Sequence, residues 1–258
     1  MKLYLTSVSS CLSEIESFKS LINRDTKLVI LPFSYHKDYI NKCEDIWIHF
    51  DREPNSLDSI FWSTARPFID AGIDPDNITV INQYSDNIAY IKYKLTRENT
   101  IVYLPGGYPE NIVENVMKYD LLDTIKQCEI IVGESAGSMA PFKEFFVYKD
   151  PDYAGYKKFK GLNLIKGMTF IPHVVLSNPL IIDACRRFKK QRRKTTIFCV
   201  IDGGYVVIEN NMVTEVHKAY TFELKKRKGK KIRDIIDSLR WSYSINKNGD
   251  DYYQRLVI

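Results

Sequence analysis

A serine inside a glycine-bracketed motif is the residue best placed for chemistry in this chain of 258 residues. Gly133-Glu134-Ser135-Ala136-Gly137 matches the G-x-S-x-G pattern, follows an apolar run typical of a buried strand, and opens a predicted helix. Small residues around the serine allow a sharp turn that projects its Oγ beyond the carboxyl end of the strand. The pattern predicts a nucleophilic Ser135, and a plain helix N-cap is the alternative.

A pair of glycines ends the preceding predicted strand, in Leu104-Pro105-Gly106-Gly107. Glycines at such a turn let the backbone approach a ligand closely. If the two strands are neighbours, the N–H groups of Gly107 and Ala136 could together form an oxyanion hole. An ordinary strand-to-helix turn is the alternative.

A serine nucleophile needs a general base, and the chain has four histidines: His36, His49, His173 and His217. The first two have no further sign of catalysis around them. His173 ends an apolar run, whereas His217 lies in a late hairpin downstream of Asp202. The order Ser135, Asp202, His217 is that of an α/β-hydrolase esterase. The residues alone therefore leave His173 and His217 as competing bases.

The candidate site residues are positioned by strands and helices that alternate along the chain. The predicted strands before the serine are Leu3–Val8, Lys27–Phe33, Ile78–Asn82, Ile101–Pro105 and Ile130–Gly133. The predicted helices are Leu12–Ile22, Tyr39–Phe50, Leu57–Ala71, Ile88–Arg97, Ile112–Cys128, Ala136–Phe146 and Pro179–Lys190. Consecutive apolar strand residues, as in Val29-Ile30-Leu31, are typical of a parallel sheet covered by helices on both faces. The fold class is therefore α/β.

The rhythm changes after the serine. An irregular polar stretch, Tyr148–Lys160, could act as a lid, and it precedes predicted strands Met168–Val175 and Thr196–Ile201. A hairpin turning at Asn210-Asn211 follows. Because no repeat and no Gly/Ser-rich or Pro-rich linker is visible, we expect one domain over residues 1–258.

Composition narrows the class of protein. With 45% apolar and 27% charged residues, disordered, collagen-like and coiled-coil classes are excluded. A net charge of +5 does not by itself indicate nucleic-acid binding. The five cysteines are scattered and form no C-x-x-C pair, which indicates reduced thiols, a cytoplasmic location and no zinc site. No apolar run is long enough for a membrane span.

Taken together, four segments between about residues 100 and 210 resemble peptidase E (aspartyl dipeptidase) and cyanophycinase. They are Pro105-Gly106-Gly107, Gly133 to Met139, Gly161 to Leu164 ahead of Pro172-His173, and Ile201-Asp202-Gly203-Gly204. This resemblance implies a three-layer, flavodoxin-like fold like that of class I glutamine amidotransferases. It also implies that Ser135 is the nucleophile and His173 the base, with Gly107 and Ala136 as the oxyanion hole.

The third member of the triad is expected, by the same resemblance, to be an acid between the serine and the histidine. Asp150 is the first choice, followed by Asp152 and Glu144. Asp202 then becomes a structural residue in front of a core strand, and His217 lies in a hairpin far from the site.

The resemblance implies hydrolysis of small peptides, either dipeptides or aspartyl and β-aspartyl peptides, through an acyl-enzyme and without metal or cofactor. An acidic substrate needs a nearby cation, for which Arg186 and Arg187 are candidates; a solvated basic helix face is the alternative. A second basic cluster, Lys225–Lys231, indicates a charged surface loop. We expect no nucleic-acid or membrane partner and leave a homodimer open. The rival functions are an esterase using Ser135, Asp202 and His217, and a non-catalytic amidotransferase-like protein.

Overall fold

The computed structural model of the protein describes residues 1–35, 60–83, 86–223, 240–245 and 252–257. Several sequence predictions lie outside the described residues: His36, the helix Tyr39–Phe50 with Cys43 and His49, and the basic cluster Lys225–Lys231. Within the described part of the chain, no helix combines the length and apolarity needed to cross a membrane.

The strands in chain order are β1 (Lys2–Thr6), β2 (Lys27–Ile30), β3 (Ile78–Val80), β4 (Thr100–Leu104), β5 (Ile130–Glu134), β6 (Glu144–Val147), β7 (Lys157–Lys160), β8 (Met168–Ile171), β9 (Thr196–Glu209), β10 (Met212–Glu223), β11 (Arg240–Ile245) and β12 (Tyr252–Val257). The α-helices are α1 (Glu16–Lys19), α2 (Ile60–Asp70), α3 (Ile88–Leu95), α4 (Pro109–Lys118), α5 (Leu122–Gln127), α6 (Ala136–Met139) and α7 (Pro179–Gln191). Short 3₁₀ turns cover Ser9–Glu14 and Pro75–Asn77.

A mostly parallel sheet forms the middle layer. Strands β3, β2, β4, β5 and β1 run parallel in that spatial order, and β9 joins β1 antiparallel. The long hairpin of β9 and β10 turns at Asn210 and Asn211, both with positive φ, as a type I′ turn requires. Strand β8 pairs parallel with β9. The carboxyl ends of β1, β4 and β5 therefore lie at one edge of the sheet. Strand β8 runs antiparallel to β1, and its carboxyl end points toward the end of β1, because β8 pairs with the first residues of β9 and β1 pairs with the last.

Helices cover both faces of this sheet, because its strands alternate between two cores. Leu3 and Leu5 pack into a cluster with residues of α3 to α6, whereas Tyr4 between them packs with Phe18 and with Phe68 of α2. A third cluster joins α7 to β8 and β9. The three-layer α/β prediction is confirmed.

The structure differs most clearly from the sequence prediction at the predicted helix Ala136–Phe146. Helix α6 stops at Met139 because Pro141 lacks a backbone N–H and restricts the residue before it. The aromatic residues that follow form β6, which pairs antiparallel with β7 inside the stretch expected to be irregular. Similarly, Ile112–Cys128 is two helices, α4 and α5, separated by Asp120 at φ 51°.

Helix α6 lies very close to strand β4. A Cβ added at Gly137 would lie 1.8 Å from the carbonyl oxygen of Leu104, so this position has no room for any side chain. The contact fixes the height of α6 above the sheet edge, and with it the position of the turn at Ser135.

We predict that Gly137→Ala lowers the free energy of unfolding by about 3 kcal/mol, because the new methyl group can fit only if α6 moves away from β4. Gly155→Ala is the matched control, since a Cβ there meets nothing within 4 Å, and its effect should stay within about 0.5 kcal/mol. Urea unfolding of both variants measures the difference. Equal stability of the two variants would contradict the packing described for α6.

Candidate active site

Ser135 stands on a strained turn between β5 and α6. Its backbone angles are φ 48° and ψ −108°, a region that costs a non-glycine residue about 1–3 kcal/mol. The turn is held in place because the Ser135 N–H donates to the carbonyl oxygen of Thr6 (3.0 Å), at the end of β1. Ser138 adds a second tie, with its hydroxyl 2.8 Å from the same oxygen. This geometry is that of a nucleophile elbow.

His173 lies two residues beyond β8 and faces the elbow. Its Nε2 is 3.0 Å from Ser135 Oγ. Its backbone also has a positive φ, 54°, and its N–H donates to the hydroxyl of Ser7 (2.8 Å). The Val174 N–H donates to the carbonyl oxygen of Val200 (3.0 Å), which fastens the segment to β9. The structure thus brings together the two residues predicted as nucleophile and base.

The second imidazole nitrogen of His173 faces Asp202, with 2.6 Å between Nδ1 and Oδ1. A carboxylate at that nitrogen favours the tautomer with Nδ1–H, which leaves the Nε2 lone pair free to accept the Ser135 proton. Burial opposes ionisation of Asp202, but hydrogen bonds from Ser7 and His173 outweigh it and lower its pKa below the ordinary value. Asp202 therefore stays ionised at neutral pH.

This placement corrects the expectation that Asp150 stands at the imidazole and that Asp202 is only structural. The Asp150 carboxylate accepts the N–H groups of Asp152 and Tyr153, at 2.9 and 2.8 Å, within its own loop. Asp152 accepts the Tyr108 hydroxyl (3.1 Å).

Glu144, the third acid considered, pairs with Arg192 and with Lys158, the latter at 3.3 Å. Asp202 reaches the site because β9 runs antiparallel to β1. The register Thr6 to Tyr205 places Asp202 just beyond the end of β1, beside the segment that carries His173.

His217, the alternative base, lies on β10 opposite Tyr205, and the two rings are 5.5 Å apart between centroids. The acid of the esterase alternative, Asp202, therefore does lie at an imidazole, but this imidazole belongs to His173. The base of that alternative, His217, lies within the sheet.

The two expected oxyanion donors, Gly107 and Ala136, both line the pocket in front of Ser135. Gly107 has φ 133°, and a Cβ there would lie 2.6 Å from the carbonyl oxygen of Ser34. Only glycine fits this turn. Ser34 braces it, because its hydroxyl donates to the Gly106 carbonyl oxygen (2.6 Å) and its carbonyl oxygen accepts the Tyr108 N–H (2.8 Å).

A cavity of about 260 Å³ lies over the nucleophile. Its walls combine apolar residues with the stretch expected to be a lid, which contributes Tyr148, Asp150, Asp152 and Tyr153. That stretch is tied to the start of α4, because the Tyr153 hydroxyl donates to Glu110 (2.7 Å). The cavity is slightly below the usual range of ligand pockets, about 300–1,000 Å³, so it favours a small substrate.

Among the described residues, the cavity wall contains two carboxylates, those of Asp150 and Asp152, and the imidazole of His173. Arg186 and Arg187, predicted to meet an acidic substrate, lie on α7 and are not among the residues that line the cavity. Arg187 pairs with Asp183 of the same helix (2.7 Å) and lies over the ring of Tyr156.

Comparison with known proteins identifies the family. The profile of peptidase family S51 matches residues 52–216, more than half of the chain. The chain belongs to peptidase family S51. It is a serine-type peptidase, and the suspected relationship to peptidase E is confirmed. No curated protein sequence matches the chain significantly.

Solved structures share the fold of this S51 peptidase. A structure named "Putative Peptidase E Protein from Listeria monocytogenes EGD-e" aligns with a TM-score of 0.55 at 15% identity, covering 84% of this chain and 98% of the other. A peptidase from an acI-B1 Actinobacterium aligns with a TM-score of 0.54 at 15% identity, covering 81% and 83%. At this identity the likeness supports the fold alone.

In the S51 peptidase, no group of three or more His, Cys, Asp or Glu side chains suited to a metal ion occurs among the residues that the structure describes. The prediction of a metal-free and cofactor-free reaction stays a prediction. The chemistry that the described residues can perform is proton transfer from Ser135 to His173, with Asp202 orienting the ring.

We predict that Asp202→Asn slows labelling by a fluorophosphonate probe about 10²- to 10⁴-fold, because an amide no longer favours the Nδ1–H tautomer. Asp150→Asn is the matched control. It keeps the oxygen that accepts two backbone N–H groups and removes only the charge, so its labelling rate should stay close to that of the wild type. Loss of labelling in Asp150→Asn with retention in Asp202→Asn would return the acid to Asp150.

Proposed function

We propose that this S51 peptidase hydrolyses small peptides through an acyl-enzyme on Ser135, with His173 as general base and Asp202 as the acid that orients it. The observation that carries the proposal is the continuous chain of contacts from Ser135 Oγ to His173 Nε2 (3.0 Å) and from His173 Nδ1 to Asp202 Oδ1 (2.6 Å). It begins on an elbow whose backbone strain is typical of an exposed nucleophile.

In the proposed first step, Ser135 Oγ attacks the carbonyl carbon of the scissile peptide bond while its proton passes to Nε2 of His173. The imidazolium that forms keeps its Nδ1–H on the ionised Asp202, which stabilises the new positive charge. The carbonyl oxygen becomes an oxyanion, for which the N–H groups of Gly107 and Ala136 are the proposed donors.

Collapse of the tetrahedral intermediate breaks the C–N bond, and the imidazolium returns its proton to the leaving amine. Water then enters, gives a proton to Nε2, and attacks the ester carbonyl. The second collapse releases the acid product and returns the proton to Ser135 Oγ. Each proton taken by His173 is therefore given back, and the enzyme regains its starting state.

The substrate proposed is a short peptide with a free amino terminus. The cavity is small, and among the residues that the structure describes its wall contains the carboxylates of Asp150 and Asp152 and no lysine or arginine. These acids favour a cationic ammonium group over the side-chain carboxylate of an aspartyl substrate. Dipeptides with a free amino terminus and no acidic side chain are therefore the first class of substrate to test. β-Aspartyl peptides are the second.

A cytoplasmic location remains part of the proposal. It is supported by four described cysteines that are buried free thiols: Cys11, Cys128, Cys185 and Cys199. Burial raises the pKa of the Cys11 and Cys128 thiols to about 12, so neither is an activated nucleophile.

The experiment that tests the mechanism is labelling by a fluorophosphonate probe combined with peptide hydrolysis. We expect Ser135→Ala and His173→Ala to abolish both activities, whereas His217→Ala keeps them. Retained labelling in His173→Ala with loss in His217→Ala would favour the esterase alternative. A wild-type protein that neither labels nor hydrolyses peptides would favour the non-catalytic alternative.

A separate prediction concerns the ammonium subsite. Asp150→Asn should raise KM for dipeptides with a free amino terminus about fivefold, because a partly exposed ion pair contributes up to about 1 kcal/mol. Its KM for the same peptides after N-acetylation, and its labelling rate, should not change. Steady-state kinetics on matched free and acetylated dipeptides measure this effect, and an equal change for both series would contradict the subsite.

A further inference from the structure

Ser7 is a fully buried serine at the end of β1 whose hydroxyl lies between two of the proposed catalytic groups. Its Oγ is 2.8 Å from the His173 backbone nitrogen and 2.8 Å from Asp202 Oδ1. It is also 3.3 Å from His173 Nδ1. The three residues are separated by 166 and 195 positions in sequence, so this hydroxyl joins three distant parts of the chain.

The partners of the Ser7 hydroxyl determine which hydrogen bond it donates and which it accepts. A serine hydroxyl has one proton and two lone pairs. The His173 N–H can only donate, so Ser7 Oγ accepts that bond. The carboxylate of Asp202 can only accept, so Ser7 gives its single proton to Oδ1. The Nδ1–H of His173 shares the same Oδ1, at 2.6 Å.

Both partners of Ser7 need such an anchor. His173 holds a strained backbone with φ 54°, which persists only where its surroundings enforce it. The Asp202 side chain is 65% exposed, so packing does not set its orientation. Ser7 itself is fixed by burial and by its N–H, which donates to the carbonyl oxygen of Gly204 (3.1 Å) on β9.

We propose that Ser7 is a positioning residue of the peptidase, holding the His173 backbone and the Asp202 carboxylate in register through one hydroxyl. This inference rests on the proposed function, because it assigns a role to Ser7 through His173 and Asp202. Ser7 does not contact the reacting atoms. It orients His173 and Asp202 relative to each other and stabilises the ionised form of Asp202.

Loss of the hydroxyl has two consequences. The imidazole and carboxylate gain freedom, and small misplacements of catalytic groups cost about 10²-fold in rate. In addition, Asp202 loses a donor that stabilises its ionised form, so its pKa rises. The charged group that contacts Asp202 is His173, beyond β8, and Lys218 of β10 has its Nζ close to the adjacent Gly203. Neither is altered by a change at Ser7.

The test compares Ser7→Ala with Ser9→Ala. Ser9 is a buried serine of the same segment whose hydroxyl bonds Tyr103, so Ser9→Ala reports the cost of losing one buried hydroxyl there. We expect Ser7→Ala to lower the fluorophosphonate labelling rate about 10- to 100-fold near neutral pH. Ser9→Ala should match the wild type in labelling rate, with thermal denaturation confirming that both variants are folded.

A second readout is independent of turnover. Carboxyl ¹³C resonances of aspartate-labelled protein, assigned with Asp202→Asn, give the titration midpoint of Asp202 directly, and this midpoint should be higher in Ser7→Ala. Wild-type rates and an unchanged midpoint in Ser7→Ala would overturn the role of Ser7 while leaving the mechanism intact. If the wild type is not labelled, the mechanism fails and the midpoint alone decides the case of Ser7.

Discussion

The end of β1 is the point on which the rest of the site depends. Its last residue, Thr6, accepts hydrogen bonds from the amide of Ser135 and from the hydroxyl of Ser138, so it fixes the nucleophile elbow. The next residue, Ser7, bonds His173 and Asp202. Because β1 lies between β5 and β9, one dipeptide can touch both neighbours. A shift of β1 by one residue would displace Ser135, His173 and Asp202, the proposed nucleophile, base and acid, together.

The electrostatics of the site follow from this arrangement. The side chains of His173 and Asp202 are 44% and 65% exposed, so water screens their attraction and the pair gains little from charge alone. The relative orientation of His173 and Asp202 must then be set by other contacts. These are the buried hydroxyl of Ser7 and the strained backbone turn at His173. The same exposure leaves the pair open to the cavity, where Asp150 and Asp152 add further negative charge. This negative charge is the basis for the proposed preference for a cationic group on the substrate.

Sequence reasoning predicted the parallel strands closely, because their apolar runs are continuous and their ends carry glycine or polar residues. It was less successful after Ser135, where Pro141 ends α6 early and aromatic residues form β6. It chose Asp150 for the acid, although the esterase alternative had already singled out Asp202. In the pairing of His173 with Asp202, the histidine is the one expected from the peptidase E resemblance and the acid is the one expected from the esterase alternative. No local signal links them, since 29 residues and a whole helix separate them in the chain.

What the sequence determined by itself was local: a serine between small residues at a strand end, a glycine pair after the neighbouring strand, and a histidine after an apolar run. Each depends on the backbone of a few adjacent residues, so spacing and residue type are sufficient to predict it. The contact of Asp202 with His173, the hydrogen bonds of Ser7 and the acidic side chains on the cavity wall were decided only by the tertiary structure. They depend on which strands become neighbours, and on the antiparallel register of β9 against β1, which places Asp202 beside the end of β1.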